Sequence, residues 1–488
     1  MTIQLNDMGL LKTQAFINGE WVDGDNGETF AVTNPANGEH LADIASVGAA
    51  ETRRAIEAAE VAMQDWKARP AAERAKFLRR WFDLVMANQD DLAKLMTLEQ
   101  GKVLAESVGE VAYGASFIEW FSEEARRVYG DVLALPQTDR RGVVIKQPVG
   151  VVAAITPWNF PNAMITRKVA PALAVGCTIV LKPATETPLS ALALAELAQR
   201  AGLPAGLFSV VPGKNAREIG GELSSNPTVK KLTFTGSTPV GKTLMKQCAE
   251  TVKRTSMELG GNAPVIVFDD ADIDKAITGA LISKFRNSGQ TCICANRILV
   301  QEGIYDAFIE KFTAAVNEFK IGNGLDADST HGPVVTAKAA KDIDAMVKDA
   351  VAQGANVVTG GQIDAQGECF YQPTILTNVH DQMRVFREEI FGPVAPVFKF
   401  STEAEAIAMA NDTEFGLASY IYTRDIGRVW RVSEGIEYGM VGVNEVAISA
   451  DVIPFGGVKE SGQGREGSKY GLDDYLEVKY ICMGDLNS

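Results

Sequence analysis

The chain has 488 residues, of which 46% are hydrophobic and 22% charged. These are ordinary globular values, so general disorder is excluded, and the length predicts two or three domains. The formal net charge of −15 makes nucleic acid and membrane surfaces unfavourable partners, because an acidic surface repels polyanions. A small anionic substrate is not excluded, since a few local cations can dominate one pocket.

Targeting and metal-binding signals are absent from the sequence pattern. The N-terminal segment lacks the basic and apolar runs of a signal peptide, and no apolar stretch reaches the roughly 18 residues of a membrane span. Six cysteines are sparse for this length and suggest no disulfide framework, which is typical of the reducing cytoplasm. The histidines (His40, His331 and His380) stand in no ligand-like pattern, so we expect no metal site.

Helices are predicted over 50–126 from the spacing of apolar residues, and strand-like runs follow at 143–145 and 149–152. Strands and helices then alternate to the end of the chain. The later predicted strands are 178–181, 207–211, 231–234, 265–268, 356–359 and 440–443, and the later helices are 189–200, 241–248, 304–319, 337–353 and 403–410. This alternation predicts parallel βαβ units in an α/β fold of two domains, with a boundary near Gly260-Gly261.

Residues 236–243 fit the P-loop pattern G-x-x-x-x-G-K-[ST] between a predicted strand and a predicted helix. The segment 265–269 resembles the strand and Asp that hold magnesium in such NTPases. A glycine turn before a helix can bind the pyrophosphate of a dinucleotide equally well, because its N–H groups and the positive helix end attract any phosphate. A P-loop NTPase is therefore one hypothesis from this segment.

Three further residues have the chemistry of a catalytic centre. Cys292 lies in a polar segment with arginines nearby, conditions that lower a thiol pKa and favour a nucleophile. Glu258 stands between apolar residues before two glycines, as a general base with a tuned pKa would. Asn159 lies between aromatic residues in a proline-fixed loop, where its amide could donate to an oxyanion. Taken alone, Cys292 is more often a small buried hydrophobic residue and Asn159 more often a turn asparagine, whereas a solvated glutamate at a helix end explains Glu258 equally well.

Seven segments, in order along nearly the whole chain, resemble the aldehyde dehydrogenase superfamily. They are TPWNFP at 156–161, KPA at 182–184, FTGS at 234–237, ELGGNAP at 258–264, GQTC at 289–292, EEIFGP at 388–393 and PFGGVKESG at 454–462. Their order makes the NTPase a distant alternative. The resemblance implies a Rossmann-type NAD(P)-binding domain (1–128 and 149–260), an α/β catalytic domain (261–470) and a small β oligomerisation hairpin (129–148 with 471–488). It also implies a homodimer or homotetramer.

The same resemblance implies a role for each site residue. Cys292 attacks the aldehyde, the Asn159 side chain and the Cys292 backbone N–H stabilise the oxyanion, and Glu258 activates water to hydrolyse the thioester. The presence of Glu258 argues against the CoA-acylating branch of the family. The implied cofactor-binding residues are Thr156, Pro157, Trp158, Lys182, Ala184, Thr185, Gly213, Phe234, Gly236, Ser237, Leu259, Glu389 and Phe391.

Cofactor preference depends on one departure from the family pattern. NAD-preferring members usually carry a glutamate three residues after the lysine that corresponds to Lys182, whereas this chain has Thr185 there and Glu186 one place later. A carboxylate at 185 would repel a 2′-phosphate, and a threonine hydroxyl can donate to one. We therefore expect NADP to be preferred, with NAD as the alternative.

The substrate neighbourhood resembles that of succinate-semialdehyde dehydrogenases, in ITRK at 165–168, KFRNSGQTCICANR at 284–297 and GREGSKYG at 464–471. This resemblance implies that Arg167, Arg286 and Ser449 hold the distal carboxylate of succinate semialdehyde. The segment 446–453 has unfamiliar neighbours around Ser449, which keeps glutarate semialdehyde open, because one methylene contributes only about 1–3 kcal/mol of discrimination. A further hypothesis is that oxidation joins Cys294 to Cys292 in a strained, easily reduced disulfide.

Overall fold

The computed structural model describes residues 3–486. Residues 1–2 and 487–488, the outer ends of the predicted cofactor domain and of the predicted oligomerisation element, lie outside the described residues. The α-helices of the described part are Ala49–Ala68, Ala71–Ala87, Gln89–Gln100, Leu104–Glu124, Ala163–Val175, Pro188–Arg200, Ala216–Ser225, Thr238–Ala249, Ile273–Phe285, Tyr305–Val316, Ala337–Ala352, Arg384–Arg387, Glu403–Asn411 and Ile426–Gly435. None of the helices within 3–486 has both the length and the apolar character needed to cross a membrane.

The first sheet has a parallel centre with antiparallel edges. Its strands, in spatial order, are Gly462–Gln463, Arg254–Glu258, Val229–Thr235, Val151–Ile155, Thr178–Lys182, Phe208–Val210, Ala15–Ile17 and Glu20–Val22. The central runs are almost fully buried, which is the pattern of parallel strands covered by helices on both faces.

The second sheet is parallel except for its first pair. Its strands, in spatial order, are Asn356–Thr359, Thr374–Thr377, Val394–Phe400, Ala295–Gln301, Ala263–Val267, Ala418–Tyr422 and Met440–Val443. The chain passes from the first sheet to the second between Glu258 and Ala263. The α/β class predicted from the alternation of elements is confirmed.

Two smaller sheets complete the strands of the described residues. Leu476–Met483, Arg141–Pro148 and Asp131–Leu133 form an antiparallel sheet, in which the C-terminal strand pairs with the hairpin as expected. Thr29–Thr33 pairs with His40–Ala45.

The structure differs from the sequence expectation at the edges of the first sheet. The two N-terminal strands were not predicted, because runs of three residues show no usable alternation; Phe16 pairs with Val210 and extends the sheet. Strand Gly462–Gln463 pairs with Met257 and Glu258 of the first sheet, although it falls inside the segment assigned to the catalytic domain. The other domain limits stay predictions.

The three-stranded sheet exposes large apolar side chains, among them Val132, Val478, Tyr480 and Ile481. Such a patch marks a contact between chains, so we expect Ile481→Glu to shift the molecular mass toward the monomer while the thermal unfolding of each subunit changes little. Light scattering after size exclusion measures the mass. Val61→Glu, at a residue on helix Ala49–Ala68 that is 76% exposed, is the matched control. An unchanged mass for Ile481→Glu would contradict the oligomerisation role.

Candidate active site

A cavity of about 310 Å³ lies at the carboxyl ends of three neighbouring parallel strands of the first sheet. Loops leave the strands there, which is where ligands bind in open α/β sheets. Its lining residues are Pro157, Trp158, Asn159, Met164, Thr235, Gly236, Ser237, Leu259, Gly260, Cys292, Glu389 and Phe391. The cavity thus brings together nine residues that the sequence analysis singled out and that lie up to 234 positions apart.

The segment before Cys292 is a left-handed turn. Asn287, Ser288 and Gly289 have φ of 51°, 55° and 75°, a conformation that non-glycine residues keep only when their surroundings fix it. The Asn287 side chain donates to the Asn159 carbonyl oxygen at 3.0 Å, and the Asn287 backbone N–H donates to the carboxylate of the half-buried Glu106 at 3.0 Å. These bonds determine where the thiol of Cys292 enters the cavity.

The sequence analysis expected the surroundings of Cys292 to lower the pKa of its thiol, and this expectation is wrong. Burial, and then the charge of Glu389, raises the pKa of the Cys292 thiol to about 12, against the lowering effect of Arg167 and Arg286. Two cations therefore do not outweigh desolvation. The thiol is protonated at neutral pH in this arrangement, so a base must take its proton when it attacks.

Hydrogen bonds hold both the side-chain amide and the backbone carbonyl group of Asn159. Its side-chain N–H₂ donates to the Gln290 carbonyl oxygen at 3.0 Å, which leaves the second amide proton free for an oxyanion. Its own carbonyl oxygen accepts from the Lys102 ammonium at 2.7 Å. Lys102 in turn forms a buried ion pair with Glu110 and lies 4.1 Å from the Phe160 ring centre. The Asn159 amide is therefore fixed in one orientation, which is the condition that a donor to an oxyanion has to meet.

Glu258 ends its strand directly before Leu259, which lines the cavity, whereas Glu258 itself is not among the lining residues. Its carbonyl oxygen accepts from the Gly236 N–H at 3.0 Å, and its side chain is 2% exposed. Both carboxylate oxygens lack a hydrogen-bond partner among the described residues. Burial, followed by the charge of Glu466, raises the Glu258 pKa well above its ordinary value. These are the conditions that tune a carboxyl group for general base work near neutral pH.

Arg167 is less available to a substrate than an unpaired arginine would be, because its guanidinium group already pairs with a carboxylate. It is 1% exposed, and its Nε lies 2.6 Å from Oε2 of Glu466, which also pairs with Lys168. The guanidinium carbon lies 4.1 Å from the Phe455 ring centre, and Nη2 has no hydrogen-bond partner among the described residues. One end of Arg167 is thus part of a buried ion cluster, and one donor stays unused.

The other two expected substrate residues lie on different elements. Arg286 is exposed at the start of the left-handed turn, 5.1 Å from the Phe160 ring centre. The Ser449 hydroxyl forms a hydrogen bond with the Tyr113 hydroxyl. Neither Arg286 nor Ser449, nor Arg167, is among the residues that line the cavity around Cys292.

The expected cofactor residues fit a dinucleotide. Gly236 and Ser237 line the cavity directly before helix Thr238–Ala249, whose N-terminal N–H groups attract a phosphate. Gly236 is needed for space, because a Cβ there would lie 2.4 Å from the Phe234 ring. Trp158 and Phe391 meet edge to face at 5.5 Å on the cavity wall. The helix N-terminus after Ser237 thus offers a subsite for an anion, and Trp158 and Phe391 form an aromatic wall of the same cavity.

A second group of expected cofactor residues lies around the carboxyl end of strand Thr178–Lys182, which neighbours strand Val151–Ile155 in the first sheet. Burial lowers the pKa of Lys182 to about 8, and within residues 3–486 its ammonium donates only to the Pro183 carbonyl oxygen at 3.1 Å. The Thr185 hydroxyl donates to the Gly213 carbonyl oxygen at 3.4 Å. The Thr156 hydroxyl is buried without a hydrogen-bond partner in the described part of the chain. Ala184 is half-buried between Pro183 and Thr185.

Gly261 contacts both Glu389 and Cys292. Its backbone N–H donates to Oε1 of Glu389 at 3.0 Å, and burial raises the pKa of Glu389 to about 7. A Cβ on Gly261 would lie 2.3 Å from the Cys292 carbonyl oxygen. The peptide at 261 is therefore packed against both residues.

The P-loop alternative is wrong. Helix Thr238–Ala249 begins only two residues after Gly236, so Gly241, Lys242 and Thr243 lie inside the helix rather than in a phosphate loop. Gly241 allows close packing, because a Cβ there would lie 2.4 Å from Leu259, and Lys242 pairs with Glu460 at the surface. The strand that resembled a magnesium-binding one belongs to the other sheet.

Cys294 is a buried free thiol that donates to the Lys284 carbonyl oxygen at 3.3 Å, and Cys292 is free as well. The disulfide between Cys292 and Cys294 stays a prediction.

The sequence analysis predicted helices over 50–126 but missed the three residues of helix Leu104–Glu124 that support the site. On Leu104–Glu124, Glu106 bonds the left-handed turn, Glu110 accepts from the Asn162 N–H at 2.9 Å, and Tyr113 bonds Ser449. The available signal was two carboxylates four residues apart on a helix, which share one face.

The sequence model described as "Aldehyde dehydrogenase family" matches residues 21–481. A glutarate-semialdehyde dehydrogenase of Pseudomonas aeruginosa is 62% identical over 484 residues, which cover 99% of this chain and 100% of the relative. A 3-sulfolactaldehyde dehydrogenase of Pseudomonas putida and an NADP(+) succinate-semialdehyde dehydrogenase of Escherichia coli are each 60% identical, with 99% and 100% covered. The crystal structure of an E. coli NADP dependent enzyme matches with a TM-score of 0.98 at 60% identity, over 99% of this chain and 100% of that one.

Proposed function

The chain belongs to the aldehyde dehydrogenase family, and on that premise we propose that it oxidises a small aldehyde with an anionic far end, succinate semialdehyde first and glutarate semialdehyde next. The observation that carries the proposal is the cavity in which the Cys292 thiol and the Asn159 amide meet beside the dinucleotide subsite. The three relatives named above support the substrate class, because their aldehydes all end in a carboxylate or a sulfonate.

The chemistry follows from the residues of the cavity. Glu258, whose charge acts on the Cys292 thiol, takes the thiol proton and passes it to water as the sulfur attacks the aldehyde carbon, and the free Asn159 amide proton with the Cys292 backbone N–H stabilises the oxyanion. A bound nicotinamide nucleotide would accept the hydride as the tetrahedral adduct becomes a thioester on Cys292. The unprotonated Glu258 carboxylate then takes a proton from water, whose oxygen attacks the thioester and releases the acid.

NADP is the proposed cofactor, with NAD as the alternative. Lys182, Thr185 and Gly213 lie close together after neighbouring strands, and they offer a cation and a hydroxyl to a ribose phosphate. Glu186 is exposed one position further along, and its charge opposes the effect of burial on the pKa of Lys182, which keeps NAD as the alternative. The E. coli relative named for NADP supports this preference.

The first test is turnover with succinate semialdehyde, glutarate semialdehyde and butanal, followed by the absorbance of the reduced nucleotide. We expect kcat/KM to be about 10-fold or more higher for the anionic aldehydes, because charge-assisted hydrogen bonds contribute about 1.5–3 kcal/mol. Cys292→Ala should abolish turnover of all three. Preference for butanal would contradict the substrate class, and turnover by Cys292→Ala would contradict the nucleophile.

Glu258→Gln tests the base. We expect kcat to fall by about 100-fold or more, the usual contribution of general base catalysis, while a burst of reduced nucleotide, one per active site, remains. Hydroxylamine should restore turnover, since it attacks a thioester without a base. Because the Glu258 pKa is raised, wild-type kcat should increase as the pH rises through that raised pKa and the carboxyl group loses its proton, and the variant should lose this rise. Glu460→Gln, at the surface, is the control; steady wild-type turnover by Glu258→Gln would contradict the role.

Thr185→Glu tests the cofactor preference. A carboxylate at 185 should repel the 2′-phosphate, so the ratio of kcat/KM for NADP to that for NAD should fall by about tenfold or more, as expected for like charges in a partly buried site. Thr185→Val removes the hydroxyl without adding charge and should change the ratio less. An unchanged ratio for Thr185→Glu would show that position 185 does not face the phosphate.

A further inference from the structure

We propose that the Tyr113 hydroxyl determines specificity by binding, together with Ser449, the anionic end of the aldehyde. This inference rests on the proposed function, because it names a residue that recognises the same substrate class. None of the motifs in the sequence pointed to Tyr113, which became visible only through its contact with Ser449.

Tyr113 is fixed in position by its neighbours. It lies in the middle of helix Leu104–Glu124, and its ring meets the Phe117 ring edge to face at 5.0 Å. Its hydroxyl bonds Ser449, which lies 336 positions later in a segment without helix or strand. The same helix is tied to the nucleophile turn through Glu106. The phenol is therefore held on a rigid element at a set distance from the reacting loop.

The hydrogen bond between the two hydroxyls leaves donor capacity unused. Each hydroxyl carries one proton, and a bond between Tyr113 and Ser449 uses only one of the two. A carboxylate or a sulfonate has at least two acceptor oxygens, so both protons can rotate toward it. An uncharged alkyl end offers no acceptor and leaves the internal bond as it is. The pair therefore discriminates by charge rather than by volume.

The nearby guanidinium of Arg167 adds a cation to this pair. Its carbon lies 5.5 Å from the ring centre of Phe117, on which Tyr113 packs, and its Nη2 has no hydrogen-bond partner among residues 3–486. Burial lowers the pKa of Arg167, but the charges of Glu466, Tyr113 and Cys292, among others, raise it above its ordinary value. The hydroxyl pair and the thiol thus lie in the field of one buried cation.

This arrangement accounts for a substrate class rather than one chain length. Hydroxyl donors on a helix and on a loop can both reach a terminal carboxylate, and the loop side can adjust when the aldehyde is one methylene longer. The three acidic aldehydes named by relatives of 60–62% identity share this chemistry and differ in length and in the acid group.

Tyr113→Phe removes the hydroxyl and keeps the ring, and Tyr470→Phe, at a residue that is 52% exposed, is the matched control. For succinate semialdehyde we expect kcat/KM to fall by about tenfold or more, the usual loss for a hydrogen bond to a charged group, with most of the change in KM. Butanal should keep its wild-type kcat/KM. Titration calorimetry with succinate should show the same weakening without any turnover.

The outcomes separate this inference from the proposed function. If the wild-type enzyme does not prefer anionic aldehydes over butanal, both fail. If it prefers them and Tyr113→Phe leaves KM for succinate semialdehyde unchanged, only the role of Tyr113 is overturned. An equal loss on butanal would assign Tyr113 a structural role and overturn the inference as well. A doubly substituted Tyr113→Phe and Ser449→Ala enzyme should lose less than the product of the two separate losses, because the hydroxyls act on the same group.

Discussion

The buried ion pair between Lys102 and Glu110 is the interaction on which the geometry of this active site depends. Both side chains are 1% exposed, and the cost of burying two charges is offset only when their geometry is good and further hydrogen bonds satisfy the groups. Here the ammonium also donates to the Asn159 carbonyl oxygen, and the carboxylate also accepts from the Asn162 N–H. Removal of one partner would leave an uncompensated charge, at a cost of about 3–5 kcal/mol.

From that pair the ordering extends along one face of helix Leu104–Glu124. Glu106 lies one turn before Glu110, and Tyr113 lies about one turn after it. One rigid helix therefore contacts the turn before Cys292, the loop that follows Asn159 and the segment that carries Ser449. Of these three side chains, Glu106 and Glu110 position the reacting groups from behind, since their carboxylates accept from backbone N–H groups. Such support is what keeps a catalytic arrangement within the narrow tolerances that it needs.

Residue type and spacing predicted the α/β class, most long elements and the central site, because amphipathic periodicity and glycine turns are local properties. Cys292, Asn159 and Glu389 could be assigned from the family's motifs and lie on one cavity. What could not be predicted depended on contacts distant in the chain. Desolvation of Cys292, the pairing of Arg167 with Glu466 and the bond from Tyr113 to Ser449 join segments that only the fold brings together. The P-loop pattern failed because a sequence pattern does not say where its helix begins.

Gly261 limits how this enzyme can be changed. Its peptide is packed between the Glu389 carboxylate and the Cys292 carbonyl oxygen, and there is no room for even a methyl group. Any side chain at this position would push Glu389 and Cys292 apart at the same time. The atom that a Cβ meets is the Cys292 backbone oxygen, which cannot turn away as a flexible side chain could. Redesign of the residues around Thr185 therefore has to keep glycine at position 261.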